Sequence, residues 1–276
     1  MTIGILYESN EWSDFALRDH IISKGAPVKM FDLMKDPDPE ELLSCALIVN
    51  RVFASAVFRG HEKALGRMPA VIDLLSERGV RMINPAEAHF YEISKTRSKK
   101  SLIANGLPVP KLYDIASPQY PCVVKPDCGG RTNYTFIVNS REELIEYMAD
   151  APKIEFIAEE YICPEYGFVT RVEVIGGDLR LAVKRSITEG GLSAYHLGSE
   201  YEIYTDLPDG IKSMAVQAMD HLCIEAGSMD IIENKTGFYI IDVNSVSNVS
   251  EDNTDLFKFD LMKETAAYAV GIYGNL

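Results

Sequence analysis

The chain has 276 residues, 47% of them hydrophobic, which is enough to build one large domain or two modest ones. Its net charge is −14, from 27 Lys and Arg against 41 Asp and Glu, which argues against binding nucleic acid or anionic membranes. No apolar run approaches the roughly 20 residues that span a bilayer, and the five scattered cysteines lack zinc-binding spacing. We therefore expect a cytoplasmic protein with reduced cysteines.

The first third of the chain alternates short apolar strands with helices. It begins MTIGILY, which reads as a strand and not as a signal peptide. The predicted strands are Ile3–Tyr7, Val28–Phe31, Ala46–Asn50 and Val80–Ile83, and the predicted helices are Trp12–Lys24, Pro39–Ser44 and Gly60–Arg78. Because strands that alternate with helices form parallel sheets, residues 1–84 are predicted to be an α/β domain with a doubly wound sheet.

After residue 84 the pattern changes. Helices cluster over Pro85–Asn105, and the proline-rich Gly106–Pro110 ends them and serves as a linker. Strands dominate from Lys111 onward. The predicted strands are Tyr120–Lys125, Tyr134–Val138, Ile154–Tyr161, Phe168–Ile175 and Leu179–Arg185, and the predicted helices are Arg141–Ala149, Ile211–Ala226 and Leu256–Tyr268.

Two apolar strands near residues 228–244 are joined by the turn-forming Asn234–Gly237 and predict an antiparallel hairpin. With a three-residue loop, the predicted facing pairs are Asn234 and Phe238, Ile232 and Ile240, Asp230 and Asp242, and Ser228 and Asn244. Two carboxylates about 5 Å apart repel each other unless a cation lies between them. Asp230, Asp242 and Asn244 thus form an all-oxygen set that suits Mg²⁺; the alternative is that they are solvated residues at strand ends.

A magnesium ion with so few protein ligands normally shares nucleotide phosphates. The sequence has neither GxxxxGK[ST] nor GxGxxG, but a strand ends at Lys125 and leads into a loop containing Gly129 and Gly130, whose backbone N–H groups can approach an anion. Lys95, just after a predicted N-cap at Ser94, is a second candidate for phosphate binding. Each lysine alone reads more simply as a surface charge, and Lys95, Arg97, Lys99 and Lys100 together read as a solvated basic face.

The order of these pieces resembles the ATP-grasp superfamily of carboxylate–amine ligases, and most of all its RimK and LysX type. The resemblance rests on Lys95, Lys125 with its glycine-rich loop, the segment Ile157–Ile162, two arginines, and the closing Asp…Asp-x-Asn. It implies a pre-ATP-grasp α/β domain over residues 1–84, then an α+β ATP-grasp domain over 85–276. That second domain would have a central part at about 108–160, a C-terminal part at about 161–276, and antiparallel sheets.

The resemblance also implies roles for individual residues. Lys95 and Lys125 would hold the α- and β-phosphates, and Asp230, Asp242 and Asn244 would hold magnesium, with two ions expected. Arg171 and Arg185 would lie over the γ-phosphate and the acyl phosphate. The adenine and ribose contacts would come from Glu159, Glu160, Tyr161, Ile162 and Glu165.

The sequence departs from the family in three places. Asp242 stands where the family usually has Glu, and the shorter side chain changes the reach of the oxygen toward two metals. Leu192-Ser193-Ala194 replaces the family's Arg-Ser-Asn, so an arginine and an amide are absent. The loop after Lys125 is short and carries Cys128. These departures leave ATP binding expected and the usual acceptor open.

The predicted activity is an ADP-forming ligation through an acyl phosphate, because a carboxylate and an amine do not condense in water. The chain would align its reactants and offset their charge, and mobile loops at 128–132 and 188–199 would exclude water. Expected substrates are an amino acid or small carboxylate and an amine, peptide or carrier-protein acceptor, and the resemblance implies a dimer or tetramer. The alternatives are a glutathione-like or dipeptide ligase and a nucleotide-binding module without turnover. Arg51 is a candidate clamp for a substrate carboxylate, although a surface arginine is the simpler interpretation.

Overall fold

The computed structural model describes residues 2–247 and 249–276. The N-terminal part of the chain forms a four-stranded parallel sheet. Its strands are parallel, as the alternating pattern predicted, and their order is β2-β1-β3-β4. The elements are β1 Thr2–Tyr7, α1 Trp12–Ser23, β2 Val28–Asp32, α2 Pro39–Leu43, β3 Cys45–Asn50, a 3-10 helix at Ala54–Phe58, α3 Glu62–Glu77 and β4 Arg81–Ile83. Successive side chains of a strand point to opposite faces, and both faces of this sheet are covered. Ile3 and Ile5 pack toward α1, whereas Leu6 and Ile48 pack toward α3.

The last helix of the chain returns to this first sheet. The sequence predicted one helix over Leu256–Tyr268, and this is wrong: the structure has α8 at Glu251–Phe257 and α9 at Leu261–Tyr273. Lys258 takes a left-handed conformation that ends α8, and the carboxylate of Asp260 accepts a hydrogen bond from the Lys263 N–H to begin α9. Helix α9 packs against α1 in the same core as Ile3. The domain division at residue 84 stays a prediction.

Two antiparallel sheets follow the linking helices α4 (Ala86–Glu92) and α5 (Lys95–Ala104). The first has order β5-β8-β6-β7 and contains β5 Leu112–Tyr113, β6 Cys122–Pro126, β7 Phe136–Val138, α6 Arg141–Ala149 and β8 Phe156–Glu160. The second has order β11-β10-β9-β12-β13 and contains β9 Phe168–Ile175, β10 Asp178–Ser186, a 3-10 turn at Tyr195–Leu197, β11 Tyr201–Ile203, α7 Asp209–His221, β12 Ala226–Asn234 and β13 Gly237–Asn244. Among the described residues, no helix has both the length and the apolar character needed to cross a bilayer.

Helix α7 ends earlier than predicted. We expected it to run from Ile211 to Ala226, but it stops at His221, and Ala226 already begins β12. Cys223 takes a left-handed φ of 56°, and its N–H donates to the carbonyl of Asp220, which turns the chain out of the helix.

The β12–β13 hairpin has the predicted register at its open end but not at its turn. Asp230 faces Asp242 and Ser228 faces Asn244, as predicted. At the turn, Asn234 faces Gly237, so the loop has two residues and not the predicted three. A β-bulge at the unpaired Ile241 of β13, between the pairs Asp230–Asp242 and Ile231–Ile240, makes up the difference of one residue, so the acids still share a face.

Replacing His89 with phenylalanine is expected to flatten the dependence of stability on pH. His89 is fully buried, neither ring nitrogen has a hydrogen-bond partner among the described residues, and burial lowers its pKa from 6.5 to about 4. The unfolded chain therefore binds a proton below pH 6.5 that the folded chain binds only below about pH 4. Protonation of His89 in the unfolded chain therefore lowers the unfolding free energy by about 2 kcal/mol between pH 7.5 and pH 5. Urea unfolding at both pH values measures the decrease in unfolding free energy. An equal decrease in the native chain and in His89→Phe would contradict the expectation.

Candidate active site

A cavity of about 510 Å³ lies between the two antiparallel sheets and reaches Phe53, Ser55 and α8. It collects every site residue implied by the resemblance except one. Its lining includes Lys95, Lys125, Glu159, Glu160, Tyr161, Ile162, Arg171, Arg185, Asp230, Asp242 and Asn244. The exception is Glu165, whose carboxylate accepts a hydrogen bond from the Lys235 N–H at 3.0 Å, at the tip of the β12–β13 hairpin.

Three lysines and one glutamate form a buried charged wall, and all of them except Lys99 line the cavity. Lys95 begins α5 and its ammonium donates to the carbonyl of Gly129 at 2.8 Å. Lys125, near the end of β6, and Lys99, one helical turn after Lys95, each lie 2.8 Å from a different carboxylate oxygen of Glu159. A single buried carboxylate thus holds two ammonium groups in place.

The pKa values of this wall follow from burial and mutual attraction. Burial lowers the pKa of Lys99 to about 8, although Glu159 partly offsets it. Burial acts the same way on Lys125, but there the attraction of Glu159 and Asp242 is stronger, so its pKa lies above the ordinary value. Burial alone would raise the pKa of Glu159, yet the two ammonium groups outweigh it and the pKa is lowered. Lys99 and Lys125 are therefore mostly protonated at neutral pH, and Glu159 is ionised.

The bulge at Ile241 supplies an acceptor for this wall. Its backbone carbonyl accepts from Lys125 Nζ at 2.8 Å and from Lys99 Nζ at 3.1 Å. A bulged residue is left out of the ladder of strand hydrogen bonds, so its carbonyl is available to side chains. The same irregularity that keeps Asp242 in register therefore also anchors the two lysines.

Two arginines face the paired acids across the five-stranded sheet. Arg171 lies opposite Asp230 in the β9–β12 register, with 3.5 Å between its Nη1 and Asp230 Oδ1, and its Nε donates to Glu173 at 2.8 Å. Arg185, on β10, places its Nη2 2.6 Å from the other oxygen of Asp230. Burial lowers the pKa of Arg171, but Glu173 and Asp230 raise it by more, so its net pKa is raised.

Asp242 is the second acid of the hairpin. Burial alone would raise its pKa, but Lys95, Lys125 and Lys99 lower it by more, so its carboxylate is ionised at neutral pH. Its Oδ1 lies 3.5 Å from Lys95 Nζ. Asn244 is on the same face two residues later. No three His, Cys, Asp or Glu side chains of the described chain are grouped as a metal site, so an ion here would depend on two carboxylates and an amide.

The glycine-rich loop between β6 and β7 is held against the N-terminal part of the chain. The Arg131 guanidinium lies 2.6 Å from Glu11, the Cys128 thiol lies 3.7 Å from the carbonyl of Ala54, and Tyr134 contacts the ring of Phe58. Burial raises the pKa of Cys128 to about 11, so it is a thiol at neutral pH and not a nucleophilic thiolate. The loop thus lies over the Lys95 side of the cavity, where it is held from both ends.

Gly129→Ala is expected to lower stability and displace this loop, because a Cβ at Gly129 would lie 2.5 Å from a ring carbon of Phe58 and the residue has a φ of 152°. We expect a cost of about 1–3 kcal/mol in unfolding free energy. Gly130→Ala is the matched control, since its Cβ would meet only Ser55 at an ordinary 3.5 Å. Urea unfolding of both variants measures the difference, and equal costs would contradict the expectation.

Sequence reasoning missed two buried residues of the site and misplaced a third. Lys99 was interpreted as part of a solvated face, yet its spacing of four from Lys95 puts both on one side of α5, which is the available signal. Glu173 holds Arg171, and no local signal marks it. The suggested substrate clamp Arg51 is wrong: its guanidinium is buried against Asp14 at 2.9 Å and Ser13 at 2.8 Å and does not line the cavity.

Two antiparallel sheets that enclose a cavity of lysines, arginines and paired acids define an ATP-grasp protein. Over 98% of its length the chain superposes on the ATP-grasp ligase PsnB solved with a minimal precursor, Mg and ADP, with a TM-score of 0.69, 17% identity and 97% of that chain covered. The family model described as the RimK-like ATP-grasp domain matches residues 95–268. The chain therefore belongs to the RimK-like ATP-grasp family, which confirms the predicted resemblance and fold class.

Two relatives of the chain are named as ligases. It is 34% identical over 143 residues to the D-alanine–D-alanine ligase of Pediococcus pentosaceus, a match that spans 48% of this chain and 40% of that relative. It is 27% identical over 263 residues to the probable alpha-L-glutamate ligase 1 of Shewanella frigidimarina, covering 87% of this chain and 84% of that relative. The first match thus spans less than half of the relative's length. Both names agree with the predicted class of chemistry.

Proposed function

We propose that the protein is an ATP-dependent, ADP-forming ligase that joins a carboxylate to an amine through an acyl phosphate. One observation supports this most directly: the hairpin places Asp230 opposite Asp242, beside Lys95 and Lys125 on one side and Arg171 and Arg185 on the other. Such an arrangement suits a metal–triphosphate complex next to a developing acyl phosphate. The relatives named as ligases support the same class of activity.

The residues present fit a magnesium ion. Asp230 is ion-paired with Arg185, Asp242 has a lowered pKa, and both acids lie on one face of the hairpin. Asn244 adds a neutral oxygen. Such hard oxygen ligands are those that Mg²⁺ takes together with phosphates. Magnesium, when bound, would neutralise charge on the β- and γ-phosphates. That PsnB was solved with Mg and ADP supports both ligands. We propose that two magnesium ions bind at this site.

Lys95 and Lys125 are proposed to hold the α- and β-phosphates. Both ammonium groups are buried and already positioned by fixed partners, Lys95 by the carbonyl of Gly129 and Lys125 by Glu159. A buried cation whose position is fixed in advance loses little freedom when it binds an anion, so it binds more tightly than a mobile surface lysine. The N–H groups of Gly129 and Gly130 would add to this cradle.

Arg171 and Arg185 are proposed to stabilise the acyl phosphate and the oxyanion that forms when the amine attacks. Arg185 is buried, and its Nε has no hydrogen-bond partner among the described residues. An unsatisfied buried donor is costly, so an incoming anion at this position would remove that cost. Leu192, Ser193 and Ala194 line the same cavity, where the family has an arginine and an amide.

Adenine is proposed to lie beside the end of β8. Glu160, Tyr161 and Ile162 line the cavity there, and Ile162 packs with Val169 and Ile232 into an apolar surface that suits a planar base. The side chain of Glu159 is held by the lysines, so any base contact from it would come from its backbone. Glu165 would have to leave its bond with Lys235 to reach the ribose.

The substrates are proposed to be an amino acid or small carboxylate and an amine or peptide acceptor. The protein is further proposed to be cytoplasmic and to form a homodimer or homotetramer.

Measuring ADP release tests the proposed function. Purified protein with Mg-ATP should release ADP only when both a carboxylate and an amine are added, and a new amide product should appear by mass spectrometry. ADP release that ignores the amine would contradict a ligase. Nucleotide binding without turnover on any substrate pair would instead favour the binding module.

A further inference from the structure

The cavity has no uncommitted cation on its described lining. Each of its lysines and arginines lies next to a carboxylate: Lys95 with Asp242 (3.5 Å), Lys125 with Glu159 (2.8 Å), Arg131 with Glu11 (2.6 Å), Arg171 with Glu173 (2.8 Å) and Arg185 with Asp230 (2.6 Å). The remaining basic side chain of the lining is the exposed imidazole of His196. The cations are therefore matched to anions already present.

The proposed reaction uses four of these cations. A triphosphate and a reacting carboxylate would take Lys95, Lys125, Arg171 and Arg185. The fifth, Arg131, is held by Glu11 in the glycine-rich loop and lies over the ring of Phe53. A second carboxylate on a substrate side chain would enter this cavity without a partner, and burying an unpaired charge is strongly unfavourable.

An apolar wall lies at the end of the cavity beyond Arg185. Tyr201 faces Arg185 across the β10–β11 pair, and its ring lies 6.2 Å from that of Phe257 on α8. Val249 and Phe259 continue the lining from the same C-terminal segment. All four side chains are only partly buried and line the cavity.

This end of the cavity is also acidic. Asp252 lies on its lining, and two further exposed acids, Glu251 and Asp255, are on the same short helix. The local charge therefore repels a carboxylate, while the rings of Tyr201 and Phe257 offer contact to an apolar group.

We propose that this ligase takes an amino acid with a large apolar side chain, of the leucine, methionine or phenylalanine class, and rejects acidic side chains. The side chain would contact Tyr201, Val249, Phe257 and Phe259. This inference rests on the proposed function and separates this chain from the relative named as a glutamate ligase.

A matched substrate series tests the inference. Methionine, glutamine and glutamate have side chains of similar length, so their comparison separates apolar character from charge while the main chain stays the same. ADP release with Mg-ATP should give a kcat/KM for methionine about tenfold or more above that for glutamate, with glutamine between them. Preference for glutamate would overturn the inference and leave the ligase assignment intact. No ADP release with any amino acid or amine would overturn the proposed function, and the inference with it.

Variants of the apolar wall provide a second test. Phe257→Ala should lower kcat/KM for methionine by about tenfold, because it removes a ring from the substrate contact, and should leave the affinity for a non-hydrolysable Mg-nucleotide unchanged. Phe257→Arg adds the missing cation and should raise kcat/KM for glutamate by about tenfold. Phe90→Ala, a partly exposed ring outside the cavity lining, is the control. Unchanged substrate preference in both Phe257 variants would overturn the inference.

Discussion

Asp242→Asn is expected to reduce magnesium-dependent ADP formation by about a thousandfold or more. The substitution keeps the size of the side chain but removes the negative charge that would bind the ion. A metal contact to transferring phosphates contributes several kcal/mol, and each 1.36 kcal/mol corresponds to a factor of ten in rate. Lys95 also loses its carboxylate neighbour at 3.5 Å. Steady-state assays of ADP release over a range of magnesium concentrations measure the loss.

Asp206→Asn is the matched control for this variant, because Asp206 is an exposed acid in the turn between β11 and α7, outside the cavity lining. It should retain the native rate and the native magnesium dependence. If Asp242→Asn kept near-native turnover with the same requirement for magnesium, the proposed metal site on the hairpin would be wrong. Circular dichroism of both variants checks that the fold is retained.

Glu159→Gln is expected to lower the unfolding free energy by about 3 kcal/mol or more. Glu159 is 2% exposed and is the shared counter-ion of Lys99 and Lys125, which are 3% and 7% exposed. Removing one member of a buried ion pair leaves uncompensated charge in the interior, which costs about 3–5 kcal/mol. Urea unfolding near pH 7 measures the change. Glu155→Gln, four residues earlier and exposed, should cost less than about 0.5 kcal/mol.

A double-mutant cycle tests the cause of this loss. Lys99→Met with Glu159→Gln removes one buried cation together with its counter-ion, so the double variant should be more stable than Glu159→Gln alone by about 1 kcal/mol or more. The Lys125 ammonium keeps the Ile241 carbonyl as an acceptor in both variants. A cost for Glu159→Gln equal to that of Glu155→Gln would contradict the role of Glu159, as would exact additivity in the cycle.

The hairpin shows how much of the site followed from the sequence. Alternation along two strands placed Asp230 and Asp242 on one face, and the structure bears out that pairing. The loop length was wrong by one residue, and the bulge at Ile241 was not foreseen. These two errors cancel at the acids. The shorter loop alone would pair Asp230 with Ile241, and the bulge at Ile241 shifts the pairing by one residue to Asp242. Turn geometry depends on local dihedral angles that the pattern of apolar residues does not encode.

The buried cations show what the sequence left open. Lys99 and Arg51 read as surface charges, since lysine and arginine are almost never fully buried without a partner. Their partners are far away in the chain: Glu159 follows Lys99 by 60 residues, and Asp14 precedes Arg51 by 37. Glu165 was expected at the ribose, yet it bonds the backbone of Lys235. No local pattern encodes these contacts.

The sequence by itself determined the kinds of elements, their order, and the faces on which the lysines, arginines and acids lie, because periodicity and strand-end polarity follow from local backbone geometry. The tertiary structure alone decided that α9 returns to the first sheet, that one glutamate holds two lysines, and that an apolar wall rather than a further cation lies beyond Arg185. These features depend on which distant segments pack together, and packing is selected by the burial of whole surfaces.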